Sequence, residues 1–402
     1  MTRQQRLILL VAMVSQGVAV GLTVGIVPVF LEPLEAAFEA PRTSISFGQI
    51  LIMLSLTASS LVTGPALDKG HARGVMLSGV GLLLVAMVLA AMSTNLVMLA
   101  LAALLAGAAV PPCGPITAAS LVTRNFDEDR GRALGFSSMG PPLGSGLFAG
   151  LAGWLLGRFS WDQVFLIFGV IAVVVLLPLI WSIVPARYAT AANAEEGDVN
   201  MREVVRSPVF LWAGGLFALA AGIVTGWTVH VAAFVAGTGI SETSASMVLA
   251  VQFWMGVPGA LIYGMMADRF SLTKLFVGML VVCAGILGLF ATSPGTWVVA
   301  GLCVVFGFAS SGMIPLYMVL LGQRLGADAI GRSVGLSNLL MLPVMAGSVL
   351  FAASAFESSG SYAGALVVFA VGVLASIGCL LGSNREAARR AAQQPGTEVV
   401  GA

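Results

Sequence analysis

The sequence contains very few charged residues. Only 9% of its 402 residues are Asp, Glu, Lys or Arg, whereas a soluble domain has roughly 25%, because its surface must be solvated. Hydrophobic residues make up 58%, and the mean hydropathy is +1.00. A formal net charge of +1 predicts neither a nucleic-acid partner nor an acidic one. These values exclude a soluble globular protein and predict an all-α protein whose main partner is the lipid bilayer.

Cysteine is scarce as well, and it lacks any informative spacing. The four cysteines all lie in apolar runs, without metal-ligand spacing or a disulfide pattern, and we interpret them as small core residues: Cys113, Cys283, Cys303 and Cys379. The sequence shows no nucleophile–base pair, metal-ligand cluster, phosphate-binding loop or ATP-binding domain. We therefore predict that the protein is not an enzyme and binds neither metal nor cofactor.

Long apolar runs are abundant, and each is long enough to cross a membrane. A membrane helix needs about 20 mostly apolar residues. The first run is too long for a signal peptide and has no small-residue cleavage site, so we expect it to be retained. The scan predicts twelve spans, numbered here in chain order, near 7–31, 45–67, 74–93, 96–121, 133–157, 161–184, 208–236, 244–267, 272–291, 295–322, 333–355 and 361–382.

The positive charges predict the orientation of these spans. If the N-terminus is cytoplasmic, every Lys and Arg except Arg42 and Arg158 falls in a cytoplasmic segment. Cytoplasmic loops of membrane proteins carry such an excess of Lys and Arg. We therefore expect a multi-pass protein of a bacterial inner membrane, with both termini in the cytoplasm.

The sequence also repeats itself at an offset of 200 residues, which carries Gly64 onto Gly264. Glycines, prolines and charges coincide at this offset, which shared hydrophobicity alone cannot produce. The repeat predicts two six-helix bundles related by a pseudo-two-fold axis along the membrane normal, with a substrate site between them near the midplane. The predicted units are an N-terminal bundle (1–186), a cytoplasmic linker (187–207), a C-terminal bundle (208–384) and a disordered cytoplasmic tail (385–402).

Two loops resemble the signature of the major facilitator superfamily. One is Gly64-Pro-Ala-Leu-Asp68-Lys69-Gly70-His-Ala-Arg73, between spans 2 and 3, and the other is Gly264-Met-Met-Ala-Asp268-Arg269, between spans 8 and 9. The resemblance implies a transporter that works by alternating access. It also implies a gating role on the cytoplasmic side for Gly64, Asp68, Lys69, Arg132, Gly264, Asp268, Arg269 and Arg332. Proline removes a backbone hydrogen bond within a span, and Pro115 and Pro315 recur at the offset of 200 residues, so we expect these two to act as hinges. The alternative for the charges is a purely topogenic role in solvated loops.

Within the superfamily, the chain is similar to the monocarboxylate-porter group. The similar segments run from Gly25 to Ser46 and from Arg124 to Gly144. Those porters carry a buried arginine in span 8, at the position of Ala260, and the oxalate porters carry a lysine in span 11 that is missing from 333–355. We expect no Lys or Arg deep in any span, hence no fixed counter-ion for a carboxylate. A dianionic substrate is disfavoured by its desolvation cost.

Polar side chains inside the spans are the candidates for substrate contact, because they are costly in lipid. His230 is the only histidine within a span, and histidine exchanges a proton near neutral pH. It is therefore a candidate for proton coupling or anion binding; the alternative is a neutral histidine bonded to a neighbouring helix. Other members of the set can equally join helices. The full set is His230, Gln252, Asn338, Tyr317, Gln16, Gln49, Thr117 and Ser311.

Two transport functions fit these observations. The first is a proton-coupled carrier of a small monocarboxylate, acting as a monomer. The second is a proton-antiport exporter of hydrophobic or drug-like compounds. The second is favoured by the missing arginine, by eighteen methionines that can line an adaptable pocket, and by Gly140-Pro141-Pro142-Leu143-Gly144-Ser145, which approaches an antiporter pattern. That segment is also explained by close helix packing.

Overall fold

The computed structural model describes residues 1–126, 130–186, 207–267, 269–325 and 330–393. Within these ranges eleven helices are long and apolar enough to cross a membrane. They form spans 1 to 4 and 6 to 12, as Arg3–Phe38, Arg42–Asp68, Ala72–Ala91, Leu96–Asn125, Trp161–Ile183, Pro208–Thr228, Glu242–Ala267, Leu272–Ala291, Thr296–Leu325, Ser333–Ser359 and Ala363–Arg389. Span 7 continues as the short helix Val231–Ala236.

Span 5 completes the predicted twelve, but it is divided into two helices. Its first part is Arg130–Ser137 and its second is Gly140–Leu156, so that neither part alone has the usual length of a membrane helix. The second helix begins at Gly140, and Pro141 and Pro142 follow at its second and third positions. Proline is tolerated there because the first turn of a helix leaves its N–H groups unbonded in any case. Pro141 and Pro142 therefore divide the span rather than merely bending it.

Other spans are interrupted near their middle. Span 1 contains a π-helical turn, Gly21–Gly25. Span 4 breaks between Leu96–Cys113 and Pro115–Asn125, and span 10 breaks between Thr296–Ser310 and Met313–Leu325. Spans 4 and 10 correspond in the repeat, so the same break occurs in both halves. Pro115 and Pro315 each lie in the first turn of the helix that follows the break.

The helix contacts follow the predicted internal symmetry. Spans 1 and 5 pack together as spans 7 and 11 do, spans 2 and 4 as 8 and 10, and spans 3 and 6 as 9 and 12. A Cβ at Gly107 would collide with Ile52, and one at Gly307 would collide with the backbone of Gln252. Both pairs differ by 200 residues. The repeat therefore preserves individual helix contacts, not only the order of the helices.

The two most extensive contacts between the halves are those of span 2 with span 11 and of span 5 with span 8. We name them the 2–11 seam and the 5–8 seam. We call the end of the bundle at which span 1 begins and span 12 finishes the terminal side, and the other end the opposite side.

Glycines on span 5 let three helices approach each other closely. A Cβ at Gly144 would collide with the backbone of Gly17, and one at Gly140 would collide with the Met13 carbonyl. Farther along span 5, a Cβ at Gly146 would collide with Trp254 of span 8. The segment from Gly140 to Ser145 thus packs closely against its neighbours, which was the alternative explanation of its resemblance to an antiporter pattern.

The end of the chain differs from the prediction. The last helix runs from Ala363 to Gln393, so residues 385–393 are helical where disorder was expected, and that expectation is wrong for them. Charged residues in this part alternate with alanine, a strong helix former, which the sequence reading undervalued. Residues 394–402 and residues 187–206 of the predicted linker lie outside the described residues.

Candidate functional site

A buried arginine on the opposite side binds both halves of the molecule. Arg42 begins span 2, and its side chain is only 7% exposed. Arg42 Nε and Nη2 donate to the two carboxylate oxygens of Glu35 at 2.5 and 2.9 Å. Its Nη1 donates to the Tyr362 hydroxyl at 2.6 Å, across the 2–11 seam. A bidentate arginine–carboxylate pair is among the strongest hydrogen-bonded contacts in proteins.

Further groups surround the guanidinium of Arg42. A carboxylate oxygen of Glu32 lies 3.7 Å from Nη2. The guanidinium carbon lies 4.2 Å from the ring centre of Phe356, a distance at which a cation is attracted to an aromatic face. The positive charge is therefore compensated by carboxylates of span 1 and by an aromatic ring of span 11.

His230 extends this network into span 7. It is fully buried, its Nε2 lies 3.0 Å from the Val349 carbonyl oxygen, and its Nδ1 lies 3.5 Å from the Tyr362 hydroxyl. Since a carbonyl oxygen only accepts, Nε2 carries the hydrogen and Nδ1 accepts. Arg42 therefore donates to Tyr362, Tyr362 donates to His230, and His230 donates to the Val349 carbonyl. We call Glu35, Arg42, Tyr362 and His230 the relay.

Of the relay, only His230 was among the predicted site residues. Arg42 lies at the end of span 2, as expected, but its side chain is buried between the halves and not solvated. The signal available was the position of Arg42 within a segment similar to the porters, together with Glu35 and Glu32, seven and ten positions before it. Tyr362 carried no sequence signal, because its role depends on a contact with the other half. His230 bonds to a neighbouring helix, as its alternative interpretation described.

Each seam has a second polar contact on the opposite side. At the 2–11 seam the Thr43 backbone N–H donates to Glu357 Oε1 at 2.7 Å. At the 5–8 seam the Thr243 hydroxyl donates to the Gly153 carbonyl at 3.0 Å. Thr43 and Thr243 correspond in the repeat. The opposite side is therefore closed at two related positions.

An apolar layer and a tryptophan join the halves nearer the middle of the membrane. Val229, Met345 and Val349 of the C-terminal half pack with Val27 and Ile50 of the N-terminal half. Trp254 Nε1 donates to the Leu143 carbonyl at 3.2 Å across the 5–8 seam. Together with the relay, these contacts separate the middle of the protein from the opposite side.

Four predicted polar residues are occupied by neighbouring helices or by their own span. Gln16 Nε2 donates to the Ser137 carbonyl at 2.5 Å, and Tyr317 is bonded at 2.6 Å to the Ser337 hydroxyl. Thr117 donates to the Pro111 carbonyl at 3.0 Å, and Ser311 donates to Phe308 at 2.7 Å. These last two bonds satisfy carbonyls beside the breaks in spans 4 and 10. All four therefore have a structural use in this conformation.

The three remaining candidates differ from this pattern. Gln252 is buried at 4% exposure, and its Oε1 has no hydrogen-bond partner among the described residues. Gln49 is likewise buried, at 1% exposure, and its Oε1 also has no hydrogen-bond partner among the described residues, but it lies within the N-terminal half. Asn338 is exposed on span 11.

The predicted gating residues lie on the terminal side and are less tightly packed. A Cβ at Gly64 or Gly264 would meet no atom of the described residues within 4 Å. Asp68 is 79% exposed, and its carboxylate lies 4.0 Å from Arg124 of the same half. Lys69, Arg132 and Arg269 are exposed, whereas Asp268 and the Arg332 side chain lie outside the described residues. The signature loops thus form no tight glycine contact here, in contrast to the opposite side.

Comparison with known proteins identifies the family. The family profile named Major Facilitator Superfamily matches residues 9–349. The chain belongs to the major facilitator superfamily. As a member related to other transporters, it is a secondary transporter of small solutes and not an enzyme.

Several curated proteins resemble this superfamily member in sequence. An uncharacterized MFS-type transporter, YhjX of Escherichia coli strain K12, is 26% identical over 76% of this chain and 77% of that protein. Monocarboxylate transporter 13 of Bos taurus is 25% identical over 88% of this chain and 83% of that protein. The gallate transporter of Pseudomonas putida is 33% identical, but over only 38% of this chain and 35% of that protein.

A solved structure shows the same fold. It is a bacterial homolog of the human lysosomal transporter Spinster, in an inward-facing and unoccupied conformation. The TM-score is 0.73 at 14% identity, and the match covers 98% of this chain and 100% of that one.

Proposed function

We propose that the protein is a proton-coupled carrier of a small monocarboxylate. It acts as a monomer in a bacterial inner membrane and alternates access between the two sides. Relatives named for gallate and for monocarboxylates support an organic acid as the substrate class.

We further propose that the terminal side faces the cytoplasm. All but two of the 19 Lys and Arg residues fall on that side or in the segments that join its helices, which is the positive-inside pattern. With this orientation the closed opposite side is the external face. The conformation is then inward-facing, as in the Spinster homologue.

The observation that carries the proposal is the buried pair of Arg42 and Glu35. Arg42 supplies the cation that an anionic substrate needs and that spans 8 and 11 lack. Closure places Tyr362 against Arg42 Nη1. When the external side opens, Tyr362 moves away with its half, and Nη1 is left free to bind a substrate carboxylate from outside.

Charge balance explains why a proton should accompany the substrate. Arg42 and Glu35 together are neutral, and Glu32 adds a second carboxylate 3.7 Å from Arg42, so an additional anion would leave an uncompensated negative charge. Protonation of Glu35 releases Arg42 to pair with the incoming carboxylate, so that one proton and one monoanion bind together. A dianion would still leave one negative charge, in agreement with the preference expected from the sequence.

Gln252 and Asn338 are the candidates for contacts farther along the path. The Gln252 carbonyl oxygen lacks a partner, and it can accept a hydrogen bond from a hydroxyl group of the substrate. Asn338 corresponds to Ser138 in the repeat, and both are exposed, Asn338 on span 11 and Ser138 between the two helices of span 5. Equivalent positions on spans 5 and 11 therefore offer polar groups from both halves.

Uptake into proteoliposomes tests the proposal. Labelled lactate, pyruvate, acetate and a longer 2-oxo acid would be supplied with and without an inward proton gradient. We expect gradient-driven accumulation of at least one acid, and its loss in Arg42→Gln. The matched control is Arg158→Gln, since Arg158 lies on the same side outside the relay. Absence of uptake of all four acids by folded protein would overturn the proposed substrate class.

The second candidate function is proton-antiport export of hydrophobic compounds. It is supported by the mainly apolar contacts at the middle of the two seams. Thermal stabilisation of the purified protein separates the two. Stabilisation by lipophilic cations alone, without any effect of the monocarboxylates, would favour export.

A further inference from the structure

The N-terminal half contains a cavity between its own helices, and one wall residue, Val27, also packs in the apolar layer between the halves. The cavity volume is about 80 Å³, and spans 1, 2, 3, 4 and 6 enclose it. A cavity needs only about 10–15 Å³ by such a measure to admit one water molecule. This one is therefore large enough for several non-hydrogen atoms of a ligand. The π-helical turn Gly21–Gly25 contributes Leu22 and Thr23 to its wall, and such turns occur frequently at functional sites.

One polar group in the wall has no partner. Gln49 lines the cavity at 1% exposure, and its Oε1 has no hydrogen-bond partner among the described residues. The other polar side chain, Thr23, donates to the Ala19 carbonyl of its own helix at 2.7 Å. Buried polar groups are nearly always hydrogen-bonded. The unpaired carbonyl oxygen of Gln49 therefore indicates a ligand that donates one hydrogen bond.

The internal repeat shows that the helix arrangement does not require this cavity. In the N-terminal half Ala90 and Ala106 line it. Their counterparts in the C-terminal half are Phe290 and Phe306, which are 1% and 0% exposed and have ring centres 6.4 Å apart. The same helix packing thus closes the space in one half and leaves it open in the other.

The amide and the residue before it also differ between the halves. Gln49 corresponds to Leu249, which is fully buried in the apolar core, and Gly48 corresponds to Val248. In the second half, then, the hydrogen-bonding group and the small neighbour are both replaced by apolar branched side chains. The cavity and its unpaired amide occur together, as expected for a binding site.

A groove connects the cavity to the outer surface of the bundle. It encloses about 460 Å³ between spans 2 and 4 and shares Ile45, Gly48 and Leu99 with the cavity. Two other groove residues, Phe47 and Val97, are 45% and 70% exposed. Because the halves are closed against each other on this side, these apolar side chains face the lipid. A Cβ at Gly48 would meet no atom within 4 Å, so space remains at the boundary.

We propose that this cavity binds a neutral amphiphile that carries one hydroxyl group and enters from the bilayer through the groove. The hydroxyl donates to Gln49 Oε1, and the apolar chain lies along spans 2 and 4. Among the described residues, no charged side chain lines the cavity or the groove, so a carboxylate or ammonium group would remain unpaired there. The site is separate from the relay and does not depend on the proposed transport function.

Photolabelling of the full-length protein in lipid nanodiscs tests this site. The probe is decanol that carries a diazirine, and labelled residues are mapped by peptide mass spectrometry. We expect labelling in spans 1, 2 and 4 at residues of the cavity wall. Excess decanol removes the labelling, and decane competes at least fivefold more weakly, because it cannot bond to Gln49.

Two variants taken from the C-terminal half provide the decisive comparison. Gln49→Leu should reduce labelling about fivefold, and Ala106→Phe should abolish it by filling the cavity. Ala90→Phe replaces Ala106→Phe if the latter does not fold. The matched control is Gln252→Leu, which removes a buried unpaired amide outside the cavity and should leave labelling unchanged. Labelling at the wild-type level in both Gln49→Leu and the filled variant, or labels confined to Phe47 and Val97, would overturn the proposal.

Discussion

Arg42 and Tyr362 lie 320 positions apart in the chain, yet Arg42 Nη1 donates a hydrogen bond of 2.6 Å to the Tyr362 hydroxyl. Arg42 belongs to the first half of the repeat and Tyr362 to the second. Their bond can therefore exist only while the opposite side is closed. It links the chemistry of the relay directly to the conformation of the carrier.

Replacement of Tyr362 by Phe should weaken the closed state. The change removes a hydroxyl that accepts from a buried guanidinium, a type of bond that contributes about 1.5–3 kcal/mol. The reporter is a cysteine at Ala232, which is 6% exposed beside Glu32 at the junction of the halves. In a background without the native cysteines, an impermeant maleimide should label this reporter faster in Tyr362→Phe. Tyr263→Phe, on span 8, is the control, and equal rates in all three proteins would contradict the role of Tyr362.

Arg42→Lys should transport poorly, although it preserves the charge. Lysine cannot form the bidentate contact to Glu35 and also reach Tyr362, since its single ammonium lacks the planar fork of arginine. We expect the initial rate of monocarboxylate uptake to fall at least tenfold. Wild-type rates in Arg42→Lys would show that only the charge matters, and wild-type rates in Arg42→Gln would remove Arg42 from the mechanism.

Glu35→Gln should uncouple solute movement from protons. Glutamine resembles the protonated carboxyl, so Arg42 is available to the substrate at every pH. One pH unit corresponds to about 1.4 kcal/mol, and it can drive at most about tenfold accumulation in a one-to-one symporter. We expect wild-type uptake to rise as the external pH falls, and the variant to equilibrate the solute without accumulating it.

His230→Gln tests whether the coupling proton binds to the His230 imidazole or to the Glu35 carboxylate. Its two ring nitrogens are already bonded to Val349 and Tyr362, and an added proton would point at a hydroxyl that already accepts from Arg42. We therefore expect this variant to retain proton-driven accumulation at a reduced rate. Loss of accumulation with intact counterflow would instead assign the coupling proton to His230.

Gly144→Ala should destabilise the protein because span 5 has no room for a side chain there. The new Cβ would collide with the Gly17 backbone, and overpacking of this kind costs about 1–3 kcal/mol. The thermal midpoint in detergent should fall by several degrees. Gly135→Ala, at an exposed position with no atom within 4 Å of the new Cβ, should keep the wild-type midpoint. An equal fall in both variants would show a general loss of helix flexibility instead.

The fold was largely predictable, because composition and periodicity determine it. Apolar runs of sufficient length defined the spans, and the offset of 200 residues defined the halves. The division of span 5 had a visible signal in Pro141 and Pro142, which the hydropathy scan could not use. For the burial of Arg42 the sequence offered only the porter-like segment and the acidic residues before it, and a charge at a span end usually indicates solvent. Only the contact with Tyr362 of the other half shows that Arg42 is buried and not solvated.

The polar candidates show the same limit. Tyr317 and Gln16 were correctly placed inside the membrane, but the sequence does not indicate which neighbour satisfies each hydroxyl or amide. Ser337 and the Ser137 carbonyl do so here. The unpaired amides of Gln49 and Gln252 have the same sequence pattern as the bonded Gln16. Their difference depends on packing between helices that are distant in sequence.

The two seams close the opposite side with different kinds of contact. Thr43 bonds to a carboxylate beside the charges of Arg42, whereas Thr243 bonds to a neutral backbone carbonyl. Dissolved ions screen interactions between charges at a protein surface and leave bonds between neutral groups nearly unchanged. Concentrated salt should therefore weaken the 2–11 seam before the 5–8 seam. The external face would then open first on the side of the 2–11 seam.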